Sequence, residues 1–234
     1  MWMLIDFTSS VEKGGEAIYY LEYGDEVVRE EYASSLSVVD AGDAVYVRTG
    51  LMNLTIDKAS GVFKDIYIDS NGDGEPDTLA SEELYFVVED EEGTVYLSKL
   101  SRPTVNIEVE GPLRAVIEVK GAHVSSEGGF LLNYTLRAYF YAGKSYLRIF
   151  YTEENDLPCL NDGAGQPNCL RLGSPNSARF EDLSMVILLP ENLSCYSAPI
   201  AGESFEGNFE ESVLVYQDSS GGEDWDRWPG TTFK

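Results

Sequence analysis

"LRAVIEVKG", residues 113–121, sets Leu113, Ala115, Ile117 and Val119 on one side of an extended chain and Arg114, Glu118 and Lys120 on the other. Successive side chains of a strand point to opposite faces, so this alternation describes a strand with one face in a core and the other in water. The next run, "FLLNYTLRAYFYAG" (130–143), repeats the pattern. Phe130, Leu132, Tyr134, Leu136, Ala138 and Phe140 share one face, and Asn133, Thr135, Arg137 and Tyr139 share the other. "AGKS" then turns the chain into "SYLRIFYTEE" (145–154), so residues 130 to 153 read as one long antiparallel hairpin.

Outward from this hairpin, similar runs recur. β-Branched and aromatic residues fill "AIYYLEYG" (17–24), "DAVYVRTG" (43–50), "LMNLTID" (51–57), "GVFKDIYID" (61–69), "ELYFVVED" (83–90), "TVYLSKL" (94–100), "PTVNIEVEG" (103–111), "LSMVILLP" (183–190) and "SVLVYQD" (212–218). Gly, Pro, Asn, Asp or Ser divides most of them, and no long amphipathic helix interrupts the series. Many strands with short turns predict an all-β antiparallel sandwich of two packed sheets. A change of composition near "GDEVVREEYASS" (24–35) marks a boundary. Residues 1–30 are expected to be a separate β unit and 31–234 the sandwich.

With 234 residues, 43% of them hydrophobic, the chain is long enough to bury a sizeable core. Its 41 acidic side chains against 16 basic ones give a formal net charge of -25. Nucleic acid and anionic bilayers would repel such a body, and no stretch has the length of a membrane span, so neither nucleic acid binding nor membrane insertion is expected.

Cys159 and Cys169 flank "CLNDGAGQPNC", a setting that suits a disulfide across an exposed loop and equally suits two reduced thiols; Cys195 is left over. Asn53, Asn133 and Asn192 each open an Asn-X-Ser/Thr triplet, a glycan acceptor wherever glycosylation machinery is met, and Asn133 falls on the outward face of its strand. "MWMLIDF" lacks a basic segment and a long apolar run, so the chain reads as an internal piece of a longer secreted protein, and the ending "WPGTTFK" suits that reading. An extracellular location, secreted or at the cell surface, is the expectation.

Three stretches bear on chemistry. In "IDSNGDGEPD" (68–77), Asp69, Asn71 and Asp73 match the first, third and fifth ligand positions of a calcium loop, Glu75 the seventh and Asp77 the ninth, with Gly74 allowing the sharp turn. Ala80 stands where the bidentate glutamate of an EF-hand would be, and neither flank reads as helix. A structural calcium that ties a β-hairpin and a solvated Asx-rich turn both fit the loop.

Near the carboxy terminus, "YQDSSGGEDWDRWPG" (216–230) interleaves Gln217, Asp218 and Glu223 with Trp225 and Trp228. Indole faces stack on sugar C–H faces while carboxylates and amides accept hydroxyl hydrogen bonds, so the set suits carbohydrate; a polar linker whose tryptophans pack on a following domain suits it as well. His123, the single histidine, sits in "GAHVSSEGG" and is expected at the surface, at a strand end. No residues form a recognisable catalytic set, and the catalytic positions are unassigned.

An ordered series of these segments resembles a known family. "GGEAIYYLEYG", "VRTGLMNLTIDKASGVFKDIYID", "VEGPLRAVIEVKGAH", "LLNYTLRAYFYAGKSYLRIFYTEEND" and "YQDSSGGEDW" are similar to the exo-rhamnogalacturonan lyase-like (YetA-like) proteins. The best-matched parts are Gly111-Pro112-Leu113-Arg114-Ala115-Val116, Arg137-Ala138-Tyr139-Phe140-Tyr141-Ala142-Gly143 and Gln217-Asp218-Ser219-Ser220-Gly221-Gly222.

The resemblance implies the end of a small RIFT-type barrel up to about residue 30, the central sandwich after it, and an α/α-toroid that supplies much of the catalytic cleft and is absent from these residues. It assigns no catalytic residue here. The expected function is that of a secreted, carbohydrate-associated module, non-catalytic on its own. The alternative is a calcium-stabilised structural component of an extracellular assembly, self-associating through its β-edges.

Overall fold

The computed structural model describes residues 5–28, 32–156, 177–191, 193, 195–200, 203–208 and 211–215. Cys159, Cys169, Asn192, Gln217, Asp218, Glu223, Trp225 and Trp228 lie outside the described residues. The chain divides into two compact units, Met1–Pro190 and Glu191–Lys234.

In the first unit the strands are β1 (Ser37–Asp40), β2 (Ala44–Arg48), β3 (Met52–Asp57), β4 (Phe63–Ile68), β5 (Thr78–Asp90), β6 (Val95–Leu97), β7 (Thr104–Glu110), β8 (Arg114–Ser125), β9 (Phe130–Tyr141), β10 (Leu147–Glu154) and β11 (Phe180–Leu188). All pair antiparallel, in the order β1-β2-β3-β4-β5-β6-β8-β9-β10, with β11 against β5 and β7 against β8.

The long strand β5 is where the fold turns over. Its first part pairs with β4 as far as Leu84, and Val87 to Glu89 pair with β6. β11 spans Glu83 to Asp90 and so overlaps both partners. A strand has only two hydrogen-bonding edges, so β4 and β6 stand end to end along one edge of β5 while β11 holds the other. β6 in turn pairs with the end of β8, which carries the ladder into the opposite layer.

The result is a sandwich, β1–β5 with β11 facing β7–β10, whose layers are joined through β6 rather than separate. Val45, Val47, Met52, Leu54, Ile56, Phe63, Leu84 and Phe86 of the first layer pack with Ala115, Ile117, Val119, Tyr134, Leu136, Ala138 and Phe140 of the second in one core. Gly61, in the β3–β4 turn, has φ +70°, and a Cβ there would lie 2.8 Å from Val119 Cγ1 and 2.9 Å from the Pro103 ring. Only glycine lets this turn close against β8.

The expected hairpin is present: β9 and β10 pair from Phe140↔Leu147 to Asn133↔Glu154. Two expected strands are not. "AIYYLEYG" is exposed chain without strand pairing, and residues 212–215 of "SVLVYQD" are likewise unpaired. A strand is defined by its neighbour as much as by its residues, and no ladder among the described residues receives these runs.

Residues 5–28 as a whole carry turns but no strand. Asp6 nevertheless reaches Arg114 of β8 at 3.1 Å. The second unit, taken by itself, shows a hairpin of β12 (Cys195–Ile200) and β13 (Glu203–Asn208), with Cys195 exposed as a free thiol. Among the described residues no helix is long and apolar enough to cross a membrane.

Candidate functional site

The acidic loop forms the exposed connection between β4 and β5, and its side chains fold it from within. Asp69 accepts the Gly72 N–H at 2.6 Å through Oδ1 and the Gly74 N–H at 2.9 Å through Oδ2. Asn71 Oδ1 accepts the Asp73 N–H, and Asp73 Oδ1 accepts the Glu75 N–H, each at 2.9 Å. The Gly74 N–H foremost, with the Gly72 N–H, holds the Asp69 carboxyl below the usual range for an aspartate. Among the described residues no group of three His, Cys, Asp or Glu side chains converges as a metal cage. Asp69, Asn71 and Asp73 do share the loop tip and retain lone pairs beyond those the backbone uses.

Of the sequon residues, Asn53 is half-buried on β3 and Asn133 half-buried on β9, its Nδ2 3.5 Å from Asp156 Oδ2.

His123 is not at the surface. β8 continues through it to Ser125, and the imidazole is fully buried, Nε2 2.9 Å from Glu153 Oε1 and 2.7 Å from Tyr151 Oη. With Glu153 as a carboxylate, an N–H at Nε2 and the Tyr151 hydroxyl both face an acceptor. Tyr151 stacks on Phe86 at 3.7 Å and lies 5.4 Å from the Tyr134 ring. Burial first, and the nearby Glu153 charge second, push the Tyr151 hydroxyl well above its ordinary pKa. Burial likewise pushes Tyr134 up to about 12. Imidazole, phenol and carboxylate are the groups of proton transfer, but a fully enclosed His123 admits no substrate; the cluster fills one end of the core, with His123 Nδ1 and Glu153 Oε2 buried and without a hydrogen-bond partner among the described residues.

The accessible chemistry lies on the other side of the same strands. Outward residues of β8, β9 and β10 form rows set by the register: Lys120 beside Thr135, Glu118 beside Arg137, Asn133 beside Glu154, Phe150 beside Arg137 and Arg148 beside Tyr139. At one end these rows border an open concavity of about 400 Å³ lined by Arg102, Lys120, Asn133, Thr135 and Glu154, with Tyr134 at its inner side. Gly121 also lines it; a Cβ there would lie 2.7 Å from Tyr134 Oη and 2.6 Å from Ser101 Oγ, so the bare backbone is what lets the tyrosine pack beneath.

The Thr135 hydroxyl donates to Glu154 at 3.0 Å. Lys120 pairs with the buried Glu118 at 2.9 Å, and Arg137 also reaches Glu118 while gripping Glu108 with two hydrogen bonds of 2.8 and 2.9 Å. The Arg137 hydrogen bonds foremost hold the Glu108 carboxyl below its ordinary pKa. Arg102 has no carboxylate partner among the described residues. Two cations, an amide, a hydroxyl and a carboxylate thus border one open groove, a set able to hold hydroxyls and an anionic group at once.

None of these residues stands out along the chain, because Lys120, Asn133, Thr135 and Glu154 become neighbours only through strand register. The signal was nevertheless present. Pairing "FLLNYTLRAYFYAG" with "SYLRIFYTEE" about their turn sets Asn133 opposite Glu154. Following the odd-numbered series of β8 through Gly121 places His123 inward.

Two layers of antiparallel strands with a polar groove on one outer face define a β-sandwich module. The model of the PcRGLX-like protein central beta sandwich domain matches residues 36–162, more than half of the chain and the whole run from β1 to β10, and the chain belongs to this family. The match agrees with the resemblance to rhamnogalacturonan lyase-like proteins. Among the curated proteins none matches.

Proposed function

We propose that this chain is the carbohydrate-associated sandwich module of a secreted polysaccharide lyase-like protein, one that holds an acidic polysaccharide and cleaves nothing by itself. The groove carries the reading. In a chain of net charge -25, Arg102 and Lys120 stand together at an open concavity beside Asn133, Thr135 and Glu154. Cations meet carboxylates of the polymer, and the amide, hydroxyl and Glu154 meet its hydroxyls. Family membership supports the polysaccharide class.

Calorimetric titration of the full chain with polygalacturonate and with rhamnogalacturonan tests it. Binding that weakens in the Arg102→Gln/Lys120→Gln double variant, with no unsaturated product absorbing in the ultraviolet, is the expected result; no heat with either polymer sinks the reading. The tryptophan segment, with Gln217, Asp218, Glu223, Trp225 and Trp228, is a second contact of the same kind, tested by Trp225→Ala/Trp228→Ala.

Calcium belongs to the same proposal as a structural ion at Asp69, Asn71, Asp73, Glu75 and Asp77. A calcium-dependent rise in the unfolding midpoint, absent in Asp69→Ala/Asp73→Ala, is expected; superimposable curves with calcium and with chelator would remove the ion from the account. Bridging of Cys159 to Cys169 and glycans on Asn53 and Asn192 complete the extracellular reading, and mass spectrometry of secreted material checks them; a glycan found on Asn133 would occupy the groove and count against its role as a polymer contact.

A second reading, self-association through a β-edge, is favoured by β11. Leu183, Met185 and Ile187 pair with the core residues Val88, Phe86 and Leu84 and so face the same side of the sheet, yet each is 40–48% exposed. Sedimentation that shows dimers dissolved by Met185→Glu would support it, and monomers at every concentration would end it.

A further inference from the structure

The concavity is one end of a longer strip, and the other end is aromatic. Phe150 and Tyr139 lie on the same outer face, in a T-shaped contact with centroids 5.3 Å apart, and Tyr141 and Tyr146 follow at 5.9 Å. Phe150 is 46% and Tyr146 55% exposed. The Arg148 guanidinium stands 4.5 Å from the Phe150 ring centroid, and among the described residues it has no carboxylate partner.

Singly exposed rings need no explanation, but these four share one face and one direction. Strand rise places Tyr139 about 13 Å from Thr135 along β9. Arg137, level with Phe150 and about 7 Å from Thr135, stands between the groove and Tyr139, its charge already answered by Glu108 and Glu118. The strip therefore offers unpaired cations at its two ends, Arg102 at the groove and Arg148 at the platform, with a neutralised stretch between.

We infer that a linear anionic polysaccharide lies lengthwise along β9, one sugar in the groove and another, further along the same polymer, stacked on Phe150 and Tyr139 with its carboxylate at Arg148. This rests on the groove reading above and extends it from a single contact to a span of several sugars. Aromatic faces take the C–H face of a sugar ring, and an arginine held over such a ring presents its donors to a carboxylate. The net charge of -25 repels an anionic polymer as a whole, so its carboxylates can be held only where a local cation faces them, as the unpaired Arg148 does on the exposed Phe150 ring. Two linked contacts on one polymer make affinity depend on ligand length.

The test uses the full chain and galacturonate oligomers, a di-, a tetra- and an octasaccharide, titrated by calorimetry at fixed ionic strength. Affinity is expected to rise by about tenfold or more from the disaccharide to the octasaccharide, as for a second linked contact. Phe150→Ala and Arg148→Gln should each abolish that rise and leave the disaccharide unchanged, while Lys120→Gln weakens all three. Equal affinity at every length with the groove intact overturns the span and leaves the groove reading standing. So does Phe150→Ala weakening every oligomer alike. Octasaccharide binding that survives Arg102→Gln/Lys120→Gln unaltered overturns the span together with the groove, as does absence of binding at any length. Circular dichroism of each variant, whose substitutions are all on the exposed face, separates loss of a contact from loss of fold.

Discussion

Phe150 and Tyr151 are consecutive residues with opposite fates. Tyr151 is stacked between Phe86 and Tyr134, its hydroxyl against His123 and Glu153, while Phe150 stands in water under Arg148. The contrast extends along β9 and β10: the inner face is a closed core ending in a polar cluster, and the outer face a strip of cations, carboxylates and rings; β8 is buried on both faces from Ala115 to Val119 and opens to water at Lys120. Both are made by the same strands, one residue out of phase. Side chains that share a backbone therefore answer to unlike solvents, and a substitution's consequence is set by its parity in the strand rather than by its neighbours in sequence.

The contrast is most easily broken at paired aromatic positions. Phe140→Ala, on the inner face and fully buried, should destabilise the fold by about 3–5 kcal/mol, measured by urea denaturation. A loss under 1 kcal/mol, roughly that of a half-exposed site, would mean the inner face is not the closed core described.

Removing the imidazole comes next. His123→Ala leaves the Glu153 carboxylate and the Tyr151 hydroxyl short of a buried partner, a cost of about 1–3 kcal/mol before any cavity is counted. Stability equal to wild type in the same denaturation series would place His123 in water.

Alkaline pH probes the inner face without mutation. Burial raises the Tyr134 pKa to about 12 and shifts Tyr151 in the same direction, whereas an unfolded tyrosine ionises near about 10. Folding therefore favours the neutral phenols. Their contribution is complete below about pH 10 and is lost as pH rises from there through the folded values. The unfolding midpoint should fall across that window, less steeply in Tyr134→Phe and in Tyr151→Phe. An identical slope in both variants would assign the alkaline loss to other groups.

The smallest effect sharpens the comparison most. Phe150→Ala should change stability by no more than about 0.5 kcal/mol, since it removes a ring that water already reaches. A cost approaching that of Phe140→Ala would show that the outer rings hold the sheet together and would leave little reason to regard them as a contact surface.

Much of this was legible beforehand. Alternation in "LRAVIEVKG" and "FLLNYTLRAYFYAG" set which residues face the core, and the hairpin to "SYLRIFYTEE" followed from its turn. His123 lies inside the core and not at the expected surface because "GAHVSSEGG" has the composition of a strand end, whereas β8 runs on to Ser125 and carries the ring inward. "AIYYLEYG" has the composition of a strand but no partner among the described residues. β1, with only four residues in "SVVD", pairs with β2 across Val38↔Val47 although its sequence gives little warning.

The sequence by itself determined the all-β class, the faces of the central strands, the family and the acidic loop whose side chains cap its own backbone, because period-two alternation and short Asx turns are local consequences of neighbouring residues. Tertiary structure alone decided that β5 carries the ladder across to β6, that His123 lies between Tyr151 and Glu153, and that Arg102, Lys120, Asn133 and Glu154 border one groove. Those juxtapositions depend on register between strands distant in sequence, which is settled by which apolar faces can be buried together.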